Sequence, residues 1–215
     1  MGSPRIRHGV RAALPLVLAP VLFSAAFGLL AEDAGMSPLG AVVMSATTFA
    51  GSAQFAAASI LGEGGGAVAA IVAALFLNAR YVALSLAVAS IFPGPRRRRL
   101  LESQLIVDES WALAGRSGRF EYAILVGAGL LLYVFWVGGT AVGTVVGDLI
   151  DPEAIGLDAA FPALFLALLV PYVRTRRALA AALVAAGITL ALLPVAPAGV
   201  PIVAAALASL IGLRR

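Results

Sequence analysis

The sequence predicts a single all-α domain over residues 1–215, a polytopic integral membrane protein with six to seven transmembrane segments and one broken or re-entrant element. Three observations favour this class. First, 61% of the residues are apolar and 12% are charged, against about 45–50% and about 25% in soluble domains. Second, the mean hydropathy is +1.02. Third, the apolar residues form runs close to the ~20 residues that a span needs. This composition excludes a soluble enzyme and a disordered chain.

Seven apolar segments are candidate spans, and charged or glycine- and proline-rich loops separate them. The stretch 100–114 is mixed and is predicted to be amphipathic. Basic residues precede the first segment, as in a signal peptide, but its length and the membrane-like chain that follows favour an uncleaved span. The candidate spans are 12–30, 37–61, 67–92, 122–146, 159–173, 178–193 and 200–213.

The arginines predict the topology. Of 15 basic residues, all arginine, Arg80 alone lies within an apolar run, and the other 14 lie in loops or at the termini. If segment 37–61 enters and leaves by one face, those 14 all fall on the cytoplasmic side, as the positive-inside rule requires. We therefore expect six crossings, a re-entrant segment 37–61 and two cytoplasmic termini. Seven ordinary crossings are the alternative.

The middle of segment 37–61 is a candidate substrate site. Small and polar residues there favour a helix break, which membranes tolerate only inside protein or beside a cavity. A broken helix exposes N–H groups that suit a carboxylate, and Phe49 and Phe55 could line an apolar pocket. Close helix packing by small residues is the alternative, although the cost of an unpartnered Gln54 at mid-membrane weighs against it. The candidate substrate-binding residues are Thr48, Gly51, Ser52 and Gln54.

A second candidate group lies near the centre of segment 67–92. Asn78, Tyr81 and Ser85 share a helical face by their spacing and could face a pathway. Arg80 lies about 200° around the helix from Asn78. A central arginine costs at least ~2.5–3.5 kcal/mol on insertion scales, so we expect Arg80 to be buried and paired with a carboxylate. Structural and direct substrate roles for it both remain open.

Asp108 is the leading partner for Arg80. On one continuous helix it would share a face with Leu101 and Leu105, and a carboxylate among apolar residues either pairs with a cation or binds a proton more tightly. An ion pair and a proton-coupling site are therefore both consistent with Asp108. The alternative is an interfacial helix with solvated acids. Glu109 is a weaker candidate because it lies beside Glu102.

Enzyme and cofactor signatures are missing from the sequence. It has no cysteine and one histidine, so no metal site is predicted. We find no motif of a serine hydrolase, zinc protease or nucleotide-binding loop, and we expect neither enzyme activity nor a cofactor. The basic clusters flank spans without interleaved aromatic residues, so nucleic acid is not an expected partner.

Three motifs together resemble the AzlC family of branched-chain amino acid exporters. They are 51–55 (GSAQF), 78–81 (NARY) and 108–113 (DESWAL). The resemblance covers nearly the whole chain, although past residue 115 it lies in the pattern more than in the letters. It implies export of branched-chain amino acids and their toxic analogues across the cytoplasmic membrane. It also implies a separately encoded small membrane subunit, similar to AzlD.

We therefore predict the large subunit of a secondary exporter, with protons as the expected coupling ion because no nucleotide-binding motif is present. The alternatives are an exporter of another small solute and a non-transporting scaffold or regulatory subunit. The cost of Gln54, Asn78 and Arg80 at mid-membrane disfavours a scaffold. The substrate is expected near the bilayer midplane, between Gly51–Ser52 and Asn78. There the carbonyl oxygens of Gln54 and Asn78 would accept from its amine.

Overall fold

The computed structural model describes residues 4–116, 119–147, 166, 169, 170, 173–196 and 200–209. Within these residues the fold is all-α apart from one short hairpin. Three 3₁₀ turns interrupt it, at Leu14–Leu16, Ala89–Ile91 and Leu207–Ser209. The α-helices are α1 (Pro4–Ala13), α2 (Leu18–Asp33), α3 (Pro38–Thr48), α4 (Gly51–Gly62), α5 (Ala67–Asn78), α6 (Arg80–Val88), α7 (Arg96–Ser103), α8 (Asp108–Ala114), α9 (Tyr122–Gly147), α10 (Arg176–Leu192) and α11 (Val200–Ala206).

One helix in the described residues, Tyr122–Val146, is long and apolar enough to cross a membrane, which confirms the predicted segment 122–146. Up to three crossings result if each of two bent helix pairs forms one span. The number of six to seven spans stays a prediction. The predicted segment 159–173 lies almost entirely outside the described residues, and 200–213 is described only as far as residue 209.

Two predicted spans are bent rather than straight. Arg5–Leu16 and Leu18–Asp33 meet at 67°, next to a 3₁₀ turn that contains Pro15, a residue without an N–H donor. Ala67–Asn78 and Arg80–Ile91 meet at 41° around Ala79. The second bend therefore falls between the predicted site residues Asn78 and Arg80.

The predicted break in segment 37–61 is present. Helix α3 ends in Phe49, which adopts the left-handed conformation with φ 43°, and α4 begins after the extended Ala50. An aromatic residue rarely adopts this conformation, which costs about 1–3 kcal/mol and persists only where the surrounding structure enforces it. The break is therefore held by its neighbours. Whether the segment re-enters the membrane surface stays a prediction.

The predicted amphipathic stretch 100–114 is not one helix. Helices α7 and α8 are separated by residues 104–107, so Asp108 begins a new helix. The expectation that Asp108 shares a continuous face with Leu101 and Leu105 is therefore wrong. After α8 the chain forms an antiparallel hairpin of β1 (Gly115–Arg116) and β2 (Arg119–Phe120).

Helix α9 is the central helix, and it packs most extensively on α1 and α2 and also contacts α3 and α8. Glycines let the backbones approach. A Cβ at Gly28 would lie 2.5 Å from the carbonyl oxygen of Thr140, and one at Gly143 would lie 2.8 Å from Cα of Ala25. At these distances, Gly28 of α2 and Gly143 of α9 form a seam of close helix packing.

Candidate functional site

A pocket of about 410 Å³ lies where three interruptions of the helices meet. These are the α3–α4 break, the α5–α6 bend and the start of α8, and α2 and α9 complete the wall. The position follows from the sequence, because each interruption brings polar groups into an otherwise apolar molecule. The lining residues are Ala19, Pro20, Phe23, Phe49, Gly51, Ser52, Phe55, Arg80, Tyr81, Val107, Asp108, Glu109, Leu132, Trp136 and Leu169.

Gln54 holds the α3–α4 break from within. Its side chain is fully buried. Its Oε1 accepts hydrogen bonds from the backbone N–H of Ala50 at 3.2 Å and from Nε1 of Trp136 at 3.0 Å. Its Nε2 donates to Oγ of Ser45 at 2.7 Å, and that hydroxyl also bonds Oγ1 of Thr140 at 2.7 Å. One amide thereby ties both half-helices to α9.

The carbonyl groups at the C-terminal end of α3 also have hydrogen-bond donors. The last carbonyls of a helix have no intrahelical donor. Gln104 Nε2 donates to the carbonyl oxygen of Thr47 at 2.8 Å, and the Tyr133 hydroxyl donates to that of Ala46 at 2.9 Å. On the other side of the break, Gly51 and Ser52, the first two residues of α4, line the pocket. A Cβ at Gly51 would lie 2.7 Å from the Trp136 ring, so the indole packs directly on this helix start.

The opposite wall carries an ion pair. Nη2 of Arg80 lies 3.0 Å from Oδ2 of Asp108, the partner that the sequence analysis expects. The same nitrogen donates to Oγ of Ser52 at 3.3 Å, which links this wall to the start of α4. The guanidinium also lies 5.1 Å from the centre of the Tyr81 ring. The side chains of Arg80 and Asp108 are 44% and 37% exposed, so the expectation of a buried Arg80 is wrong. The pair faces an open pocket instead.

The rest of the wall is apolar and aromatic. Phe49 makes edge contacts with Tyr133 and Trp136, with ring centres 5.2 and 6.4 Å apart, and packs in one cluster with Leu132. The polar groups lie on α4, α6 and α8, whereas the aromatic and aliphatic groups come largely from α2 and α9. The described residues contain no group of three or more His, Asp or Glu side chains that could hold a metal ion. The arrangement of polar groups on one side and apolar groups on the other suits binding of a molecule with a charged end and an apolar end.

The structure brings together five of the eight predicted site residues. Gly51, Ser52, Tyr81, Arg80 and Asp108 line the pocket, as do Phe49 and Phe55. Three others lie outside its lining.

Those three residues are Thr48, Gln54 and Asn78. Thr48 is the last residue of α3 and is half-buried. Gln54 makes the buried network described above. Asn78 ends α5, and its buried Oδ1 accepts no hydrogen bond within the described residues.

Sequence reasoning missed Trp136 and Leu132 and gave too little weight to Glu109. The two α9 residues carry no pattern signal, because their helix is apolar throughout. Glu109 did carry a signal in the sequence, because it directly follows Asp108 in the motif 108–113 (DESWAL).

Comparisons with known proteins place these residues in a family context. The family model described as AzlC protein matches residues 15–150, a range that contains every lining residue except Leu169. An uncharacterized membrane protein of Archaeoglobus fulgidus is 32% identical over 83% of this chain and 81% of its own length. The inner membrane protein YgaZ of Escherichia coli K12 is 30% identical over 91% of this chain and 86% of its own length. The branched-chain amino acid transport protein AzlC of Bacillus subtilis is 25% identical over 73% of this chain and 63% of its own length. No solved structure matches the chain.

Proposed function

The chain belongs to the AzlC family of membrane proteins, and we propose that it is the large subunit of a secondary transporter that exports branched-chain amino acids across the cytoplasmic membrane. The observation that carries the proposal is the pocket, which combines an ion pair and a helix start on one side with an aromatic wall on the other. The name of the Bacillus subtilis relative supports this substrate class.

The two charged groups of an amino acid have matching partners in the pocket. Its carboxylate would bind at the N–H groups of Gly51 and Ser52, where the dipole of α4 favours a negative charge, together with the guanidinium of Arg80. Its ammonium group would bind Asp108 and Glu109, the two lining carboxylates. The charged groups of the substrate thus replace the contacts that Arg80 and Asp108 make with each other. This exchange limits the cost of removing its charges from water.

The apolar side chain would lie against the wall formed by Phe49, Leu132 and Trp136. The volume of about 410 Å³ falls in the range of about 300–1,000 Å³ typical of small-molecule pockets. One methylene in an apolar pocket changes binding by about 1–3 kcal/mol. The site would therefore accept leucine, isoleucine and valine with modest discrimination. A charged side chain would lack a partner on this wall and be rejected.

Proton coupling is part of the proposal, and Asp108 and Glu109 are its candidates. Two carboxylates and one guanidinium line the pocket, so its charge balances when one carboxyl binds a proton. An ammonium group and a proton would then compete for the same oxygens, which is a simple means of exchange. A multi-pass arrangement with cytoplasmic termini, a re-entrant segment 37–61 and a small AzlD-like membrane subunit complete the proposal.

Efflux of labelled amino acids tests the function. Cells that lack their own branched-chain exporters would carry this chain alone, the small subunit alone, or both. We expect efflux of leucine, isoleucine and valine from cells with both subunits, slowed by an ionophore that dissipates the proton gradient, and no efflux of lysine or glutamate.

Other outcomes of this experiment discriminate the alternatives. Efflux of an unrelated solute would favour a different exporter on the same scaffold. Absence of all efflux, with both subunits present in the membrane, would favour a scaffold or regulatory role. Efflux that resists the ionophore would contradict proton coupling and would leave the rest of the proposal intact.

A further inference from the structure

A second cavity, of about 560 Å³, lies at the corner where α6 and its 3₁₀ extension meet α7. The amino acid pocket and this cavity share no lining residue. Its lining has two distinct parts. Arg96, Arg97 and Arg99 form one part, and the apolar side chains of Phe92, Leu100 and Ile106 contribute the other.

The arginines at this cavity lack neutralising carboxylates. No acidic residue stands in the first turn of α7, and Pro95 before it provides no side-chain cap. The four consecutive arginines thus repel one another at the positive end of the helix dipole. Among the described residues, neither Arg96 nor Arg97 forms an ion pair, and Nη2 of Arg99 donates to the carbonyl oxygen of Ala89 at 2.7 Å. Three guanidiniums and no carboxylate therefore border the cavity.

Arg98 differs from its neighbours. Its guanidinium donates hydrogen bonds to Oε1 of Glu102 at 2.9 Å and to the Tyr122 hydroxyl at 2.9 Å. The hydrogen bonds to Glu102 and Tyr122 raise the pKa of the Arg98 guanidinium above its usual value. It is absent from the cavity lining. The run 96–99 is thus divided by geometry into one structural arginine and three that border a cavity.

We propose that this cavity binds the phosphate of an anionic phospholipid. Guanidinium groups match phosphate oxygens in pairs, and the three arginines supply several such pairs. The apolar part favours a lipid over free phosphate, because Phe92 and Ile106 would contact glycerol and acyl carbons. The apolar surface also continues outward, since Leu100 and Leu101 are 74% and 75% exposed. By the distribution of arginines this corner faces the cytoplasm, where basic pockets between membrane helices bind anionic headgroups.

Lipid retention measured by native mass spectrometry tests the site. The purified chain would be equilibrated with phosphatidylglycerol, phosphatidylcholine or inorganic phosphate, and its thermal unfolding would be followed in parallel. We expect retention and stabilisation with phosphatidylglycerol only. The triple change Arg96→Gln, Arg97→Gln, Arg99→Gln should weaken that binding by about tenfold or more.

Two further variants separate a cavity from general attraction to positive charge. Changing the exposed Arg5, Arg7 and Arg11 to Gln removes the same charge elsewhere and should leave retention unchanged. Ser85→Trp keeps every arginine and fills the cavity, so it should reduce retention even if the triple variant fails to fold. Equal loss in both triple variants, full retention in Ser85→Trp, or equal protection by inorganic phosphate would each overturn the proposal. Because the readout is lipid binding, it does not depend on transport.

Discussion

Two of the three interruptions that border the pocket, the α3–α4 break and the α5–α6 bend, are built in different ways. At the α3–α4 break, Gln54 and Gln104 satisfy the free backbone groups on either side of Phe49. At the α5–α6 bend, the helices meet at 41°, and the buried Oδ1 of Asn78 has no hydrogen-bond partner within the described residues. Both interruptions put polar groups at the pocket. Hydrogen bonds from Gln54 and Gln104 satisfy backbone groups at the first, whereas the second is linked across the pocket by the side chain of Arg80.

On the basis of this difference we distinguish two walls of the pocket. The α3–α4 break is the fixed wall, and the α5–α6 bend with Arg80 is the adjustable wall. The left-handed Phe49 persists only while its neighbours enforce it, so the α3–α4 break forms or fails as a unit with α9. Arg80, by contrast, reaches across the pocket to Ser52 and Asp108. A ligand that competes for these contacts acts on the α5–α6 bend first. We therefore expect changes at the second interruption to alter transport, and changes at the first to alter stability.

The largest expected effect is on transport, from Arg80→Gln. A hydrogen bond to a charged group contributes about 1.5–3 kcal/mol, so its loss should lower the rate of leucine efflux at limiting concentration by about 10- to 100-fold. Because the pair is 44% and 37% exposed, the protein should still reach the membrane at near-parental levels. Efflux rates normalised to the membrane level measure both.

The matched control is Arg98→Gln. This change also removes an exposed arginine that forms an ion pair, but Arg98 does not line the pocket. It should change leucine efflux little. The double variant Arg80→Asp, Asp108→Arg restores the pair with reversed positions. A near-parental membrane level without leucine efflux in this double variant would show that the positions of the two charges matter for substrate binding beyond their mutual pairing. Parental efflux by Arg80→Gln would refute a role for this wall.

The second effect in size is on stability, from Gln54→Ala. This change removes the acceptor for the Ala50 N–H and for Nε1 of Trp136 and the donor to Ser45. Each buried group left without a partner costs about 1–3 kcal/mol. We expect a lower unfolding temperature in detergent and less protein in the membrane. The leucine KM of the remaining protein should stay near the parental value.

Thr47→Val is the control for this change, because among the described residues the exposed Thr47 hydroxyl bonds only carbonyl oxygens of its own helix, those of Val43 and Met44. It should leave the unfolding temperature almost unchanged. A raised KM in Gln54→Ala at unchanged stability would instead support the sequence-based interpretation, in which Gln54 accepts a hydrogen bond from the substrate amine.

The helix break and one charged pair were readable from the sequence, whereas the hydrogen-bond partners of Gln54 were not. The cluster of small and polar residues predicted the break beside Gly51, and the cost of a central arginine predicted the pairing of Arg80 with Asp108. The partners of Gln54 lie 9 and 82 residues away and depend on how α3 packs on α9. Likewise, no glycine or proline marks the break at 104–107, so α7 and α8 read as one helix. Tertiary contacts decide such positions.

The smallest expected effect is from Asn78→Leu, and it tests where the adjustable wall ends. Asn78 is a predicted substrate ligand, yet it lies outside the pocket lining. Since its buried Oδ1 accepts no hydrogen bond within the described residues, an apolar side chain of similar volume removes an unpaired group rather than a bond. We therefore expect no loss in the free energy of unfolding, and a change in the leucine KM of less than about tenfold. Asn78→Asp is the control, because it keeps the shape and adds a charge. If Asn78→Leu raises KM strongly at unchanged stability, the substrate amine reaches Oδ1 during transport, and the adjustable wall extends from Arg80 across the bend into α5.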